Sequence, residues 1–403
     1  MARRSGRVGS LTLPTLPWAS LEERGKGLPP ADGLLMLVAA LLAFVGLVMV
    51  FSASGVVAGT RYQDSIFYLK RQLAWLAVGF CLMHLASRLD YAIWRKLALP
   101  ILGVTAVLLV LVLIPGVGTL VKGARRWLRA GPVSIQPAEM VKLVVVLYLA
   151  AYLTKKGDRL RDFLKGFVPP LVVVGILAAL VVLERDLGTV VVVGLVTLGL
   201  LFLAGARLTH LLGLFAMAAP LVAFMVWRSP YRMKRLMTFL DPSKDPTGAG
   251  FQVNQSTLAF GSGGLFGVGL GEGKQKLFFL PEAHTDFVLA LVGEELGLIG
   301  TAAVMVLYMI LVVKGFQVAA RAREPFGRHL AHGITLLIGL QAMINAGVAT
   351  GMLPTKGLTL PLVSYGGSSL LVSMTAVGIL LSISRDRQGA RNLLAAQRPG
   401  GGR

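Results

Sequence analysis

The chain has almost no cysteine, few acids and little charge of any kind. Its one cysteine, Cys81, sits in an apolar run. That excludes an internal disulfide and a cysteine-based zinc cluster. Only 15% of the 403 residues are charged, against 55% hydrophobic. A soluble chain of this length would divide into two or three domains. No repeat of fixed period and no low-complexity tract is present. No convincing cleavage site follows the first apolar run, which argues against a cleaved signal peptide. Acids number 19 and bases 40, a net charge of +21. Nucleic acid is one partner for such a balance. Apolar runs from end to end make basic cytoplasmic loops of a membrane protein the better account.

Those runs predict an all-α polytopic membrane protein with ten transmembrane helices. They lie at about 32–52, 71–87, 97–114, 138–153, 166–183, 187–204, 209–227, 286–313, 329–351 and 362–384. Residues 1–31 read as a polar cytoplasmic arm, 32–385 as one membrane domain, and 386–403 as a basic cytoplasmic tail. Residues 115–137 read as a loop. Residues 228–285 form one long extracytoplasmic loop between the seventh and eighth helices, and loops of that length are usually functional. Within it, YRMKRLMTFL has the pattern of an amphipathic helix lying at the interface. Ten spans put both termini on one side. That side carries 23 Lys and Arg against 16 on the other, which assigns it to the cytoplasm.

The costly charges cluster. PEAHTDFVLALVGEEL, 281–296, runs from Glu282, His284, Thr285 and Asp286 into an apolar segment carrying Glu294 and Glu295. Acids at that depth raise a functional-site reading. Helix-entry polar residues followed by internal ion-pair partners are the structural alternative. Lys122, Arg125, Arg126 and Arg129 fall on the outer side, where guanidinium forks and an ammonium suit an anionic ligand or lipid headgroups. Glu139 and Lys142, three apart, pair on one helix face. Asp186 follows a helix break and is placed to cap the next helix. Late in the chain LPTKGLTLPLVSYGGSSL breaks helix propensity and presents Lys356, Ser364, Tyr365, Ser368 and Ser369. His210 and His332 lie near membrane boundaries. No His or Cys grouping has the spacing of a metal site.

These stretches resemble one known family. GLVMVFSAS, GARRW, QPAEMVK, PYRMKRLMTFLDPSKDPTGAGFQVNQS, GSGGLFGVGLGEGKQK, LPEAHTDF, EELG and LPTKGLTLPLVSYGGSS occur in the order found in the SEDS family (shape, elongation, division and sporulation) of bacterial peptidoglycan polymerases. The likeness covers about 33–385 and is strongest to the division branch. It implies a ten-helix glycosyltransferase of the cytoplasmic membrane, working outside, acting at the septum on lipid II. By resemblance, Asp286 is the essential acid. Arg125, Arg126, Glu139 and Lys142 match positions facing the substrate. The family usually has Pro before the Asp of its (Q/E)PDxG motif, whereas this chain has Arg185 in ERDLG.

An α-linked donor and a β-1,4 polymer require inversion. Direct displacement then needs one base and charge stabilisation at the leaving group, with no second nucleophilic carboxylate. Asp286 is the candidate base. Lys122, Arg125, Arg126 and Lys142 are candidates to hold the departing pyrophosphate, with Glu139, Asp186, His284, Lys356, Ser364 and Ser368 around the substrate. No cofactor is indicated with certainty, and a divalent cation on the pyrophosphate, magnesium or manganese, stays open. The partners implied are lipid II, the growing glycan strand, a class B penicillin-binding protein, other divisome membrane proteins and membrane lipids, but no nucleic acid. A lipid II flippase and a non-catalytic divisome scaffold are the competing readings.

Overall fold

The computed structural model describes residues 31–121, 123–131, 133–241, 249–277, 280 and 283–396. The expected arm at 1–30, Lys122, Glu282 and the end of the tail lie outside the described residues. Twelve α-helices are found among those described: α1 Gly33–Tyr62, α2 Phe67–Arg88, α3 Ala92–Leu113, α4 Pro137–Lys156, α5 Val168–Leu183, α6 Leu187–Leu203, α7 Leu208–Trp227, α8 Pro230–Leu240, α9 Ala249–Gly263, α10 Val288–Arg321, α11 Pro325–Ala349 and α12 Gly367–Ala396. Ten of them answer the ten apolar runs. The other two, α8 and α9, lie in the long loop, so that loop is partly helical.

Eight of the ten contain stretches long and apolar enough to cross a membrane. The other two fall short for different reasons. Helix α6 is apolar but has only 17 residues, about 25 Å against a hydrocarbon core of roughly 30 Å. Helix α2 has 22 residues, but Lys70, Arg71, Gln72, His84 and Arg88 dilute its apolar character.

Helices α4 and α12 are the most buried of the candidate spans, and α7 stands at the rim with 6% of its apolar window buried. Packing in the bundle brings backbones close, as membrane helices do through small residues. A Cβ at Gly46 of α1 would lie 2.5 Å from the carbonyl oxygen of Val363. Asp32 caps α1 by accepting from the Leu35 amide at 3.2 Å.

The stretch expected as a loop at 115–137 holds a small antiparallel sheet. Its strands are β1 Gly118–Val121, β2 Ala124–Ala130 and β3 Val133–Ile135, in that order. Gly123 and Gly131 mark its turns at φ of 76° and 59°, where a residue with a side chain would be strained. The register pairs Thr119 with Trp127 and Leu120 with Arg125, so one residue slips between them.

Residues 264–277 pack against the start of α10. The amides of Val268 and Gly269 donate to the carbonyls of Glu294 and Glu295 at 3.0 and 3.1 Å, and that of Leu298 to Gly264 at 2.9 Å. Helix α10 breaks at Gly297, φ 69°, which frees its groups for this pairing. The two acids of EELG belong to the same knot. Glu294 accepts from the amides of Lys274 at 2.7 Å and Gln275 at 3.2 Å. Glu295 accepts from the Lys276 ammonium at 2.8 Å, the Ser52 hydroxyl at 2.6 Å and the Gly271 amide at 3.1 Å. Both are buried. The ion-pair alternative describes Glu295, which pairs with Lys276, while Glu294 is held by backbone amides instead; both acids hold a loop.

Candidate active site

Asp286 lies in the turn that leads into α10, and the surrounding segments fix its backbone. The Asn345 amide of α11 donates to the carbonyl of Asp286 at 2.9 Å and to that of Leu358 at 2.7 Å. The Ser364 hydroxyl donates to the Thr285 carbonyl and accepts from the Leu360 amide. The Tyr365 amide donates to the His284 carbonyl at 2.9 Å. Thus 284–286 and 357–365 form one polar unit. A Cβ at Gly357 would lie 3.2 Å from Asp286 Oδ2, so only a bare backbone, at φ 66°, leaves that oxygen its space.

Lys356 is next in the chain. It is half-buried and makes no hydrogen bond or ion pair with a described residue, and burial pushes its ammonium below the usual lysine range. A Cβ at Gly188, in the first turn of α6, would meet its carbonyl at 3.1 Å. The positive end of α6 therefore abuts the same segment.

His284 packs in an aromatic trio with Tyr68 and Tyr365, at ring separations of 5.1 and 5.6 Å, with 5.2 Å between the tyrosines. Sequence reasoning missed Tyr68, because nothing local to α2 announces a partner so far along the chain.

Other expected site residues are already engaged. Lys142 and Glu139 pair at 2.7 Å inside the bundle, both buried. They line a cavity of about 10 Å³, room for one water. Lys142 also donates to Gln341 at 3.0 Å, and Gln341 donates to the Thr359 carbonyl at 2.8 Å. This relay links the pair to the segment that follows Lys356. Gln341 and Asn345 were also missed, although two amides four apart in an apolar run are a legible signal. Asp186 caps α6, accepting from the Thr189 amide at 3.1 Å and hydroxyl at 2.9 Å, as expected. Ser368 accepts from the Gln136 amide at 3.0 Å. Arg126 donates to the carbonyls of Glu184 at 3.0 Å and Arg185 at 2.7 Å. Arg125, its neighbour on β2, has no polar partner among the described residues. Those residues include no group of three or more His, Cys, Asp and Glu that could hold a metal.

The bundle and its polar site define a multi-pass helical membrane protein. A family model described as "Cell cycle protein", covering FtsW, RodA and SpoVE, matches residues 32–389. This chain belongs to that family, the SEDS proteins, and to its FtsW branch. It is 48% identical over 358 residues to a probable peptidoglycan glycosyltransferase FtsW of Geobacter metallireducens, spanning 89% of this chain and 96% of that one. It is 43% identical to the stage V sporulation protein E of Bacillus subtilis, over 88% and 97% of the two chains. Among solved structures it resembles a chain from a study of how a peptidoglycan synthase complex coordinates polymerization and crosslinking. The TM-score is 0.73 at 34% identity, over 89% of this chain and 98% of that one. RodA of Thermus thermophilus gives 0.64 at 30%, over 89% and 97%.

Proposed function

We propose that this protein is a peptidoglycan glycosyltransferase that polymerises lipid II in the cytoplasmic membrane during division. The family and relatives named as glycosyltransferases support the activity, and the site supports a mechanism. Asp286 Oδ2 takes the proton of the acceptor GlcNAc 4-hydroxyl. That oxygen forms a bond to C1 of the donor sugar as the C1–O bond to pyrophosphate breaks. The electron pair leaves on undecaprenyl pyrophosphate, so the anomeric centre inverts. Lys356, Arg125 and the positive end of α6 offset the charge that develops there. Lys142 and Glu139 stiffen the scaffold behind the site. In this reading the chain crosses ten times with both termini in the cytoplasm, and this corner faces outside, at the septum. A class B penicillin-binding protein cross-links the product.

The placement of Asp286 carries this reading. Its backbone is held by Asn345, one carboxylate oxygen faces the bare backbone of Gly357, and the preceding residue, Lys356, makes no ion pair with a described residue. The test is lipid II polymerisation by purified protein with its cognate penicillin-binding protein, glycan chains being resolved on a gel. Wild type makes polymer, and Asp286→Asn makes none while folding and binding its partner normally. Equal polymer from both removes Asp286 as the base. No polymer from either turns attention to translocation of lipid II across vesicles.

A further inference from the structure

Helix α8 has two sides with different surroundings. Leu236, Met237 and Leu240 are exposed, and their spacings of three and four put them on one side of the helix. Thr238 is buried and Arg235 half-buried, three residues apart on another side. An amphipathic helix of this kind lays its apolar side in the membrane interface and keeps the other for polar contacts. There Arg235 Nη1 donates to the carbonyl of Thr355 at 2.9 Å, 120 residues further along the chain. Thr355 is itself buried, and the next residue is Lys356.

The segment around Lys356 is well held on either side. Before it, the Ser256 hydroxyl of α9 donates to the Ala349 carbonyl at 2.5 Å, and the Leu353 amide donates to Gly347 at 2.9 Å. After it, Asn345 and Gln341 of α11 donate to the carbonyls of Leu358 and Thr359. Between these anchors, among the described residues, the bond from Arg235 is the one hydrogen bond made to residues 354–357. It comes from a charged donor, and such bonds are roughly twice as strong as neutral ones. A lysine ammonium rides on a flexible stem, so the backbone beneath it decides where it can reach.

We propose that Arg235 is a positioning residue for glycosyl transfer, acting through Lys356: from a helix seated in the membrane interface it fixes the Thr355 carbonyl and so the backbone that carries the lysine. The inference rests on the glycosyltransferase reading and adds a residue to it. In that reading Lys356 offsets charge that develops on the departing pyrophosphate. That demand is greatest in the transition state, so a misplaced lysine costs turnover more than substrate capture.

The test uses the full-length protein with its cognate penicillin-binding protein and lipid II. Arg235→Ala lowers kcat by about tenfold, the scale of one charge-assisted hydrogen bond, and changes KM by less than about twofold. In a Lys356→Ala background the same substitution adds less than about twofold, because the group it acts through is already gone. A second measurement needs no turnover. Lys356 is labelled with a neutral amine-reactive ester across the alkaline range and followed by mass spectrometry. Above its titration midpoint the limiting rate reports access alone. That rate rises severalfold in Arg235→Ala, while Lys276 labels as in wild type. If Arg235→Ala melts early, Arg235→Gln, which shortens the side chain but keeps it polar, carries both comparisons. An unchanged kcat, an unchanged limiting rate at Lys356, or a full tenfold loss on top of Lys356→Ala overturns the proposal. Absence of polymer from wild type would instead count against the glycosyltransferase reading, and the labelling would still decide whether Arg235 holds Lys356.

Discussion

Two groups of charges in this protein are treated in opposite ways. Around the broken start of α10, Glu294, Glu295 and Lys276 are buried and engaged by amides, a hydroxyl and each other. Around Asp286 and the α5–α6 turn, Lys356, Arg125 and Arg185 have no acid partner among the described residues, and two neighbouring acids are either largely uncharged or committed to a cap. Desolvated charge is expensive in the first place, and in the second burial desolvates Lys356. In the first it is compensated within the chain, so its product is a fixed loop leading into Asp286. In the second, no described residue of the chain supplies the compensation, as the proposed binding of an anionic substrate requires. Whether a charge is satisfied, more than whether it is buried, separates scaffold from site here.

Breaking the satisfied group has the largest expected effect. Lys276→Met leaves Glu295 buried without its cation, and loss of one partner of such a pair costs about 3–5 kcal/mol. Thermal unfolding in detergent should show a large drop in melting temperature, with activity lost through the fold. A smaller but signed effect is expected at Glu184. Its proton is held to about 8 in the folded protein against an ordinary 4.5. Between those values the folded state binds more protons than the unfolded one, so stability is greatest below pH 4.5 and falls as pH rises towards 8. Glu184→Gln should remove that decline, raising stability at pH 8 by on the order of 2–3 kcal/mol relative to wild type. Parallel melting curves from pH 5 to 8.5 for the two proteins would place Glu184 among ionised, compensated acids.

The helices were readable because long apolar runs leave a chain few alternatives in a membrane. The same logic located Asp186 at a cap and α8 as amphipathic. The sheet was not anticipated, although Gly123 and Gly131 bracket β2 as turn residues would. The knot at Gly297 was illegible, because it depends on backbone pairing between segments that carry no shared pattern. Within the candidate site the motifs located Asp286, Lys356 and Ser364. They did not reveal that Lys142 and Arg126 spend their donors inside the protein, since a sequence lists charges without saying which are already compensated.

Lys356 sharpens the contrast by predicting opposite signs for two lysines. Lys356→Ala should lower kcat/KM for lipid II polymerisation by about ten- to hundredfold, the scale of one charge-assisted hydrogen bond. It should leave the melting temperature unchanged or raised, because the residue removed has a desolvated charge and no hydrogen bond or ion pair with a described residue. A fall in stability like that of Lys276→Met would mean that Lys356 belongs to the scaffold.

Arg125 should show the smallest effect. It is half-buried on β2, between β1 and β3, and makes no polar contact with a described residue, so Arg125→Ala should move stability by only about 0.5 kcal/mol. Its charge acts in high dielectric, so its contribution to substrate capture should be a few-fold rise in KM with kcat nearly constant. That rise should shrink as ionic strength is raised and screening reaches the wild type as well. Arg126, one residue away on the same strand, should behave differently. Its N–H groups hold the α5–α6 turn, so Arg126→Ala should lower stability as well as activity. If the two arginines gave equal changes in both quantities, the hairpin would act as a single charged patch, and the distinction between compensated and available charge would fail at the place where two such residues are adjacent.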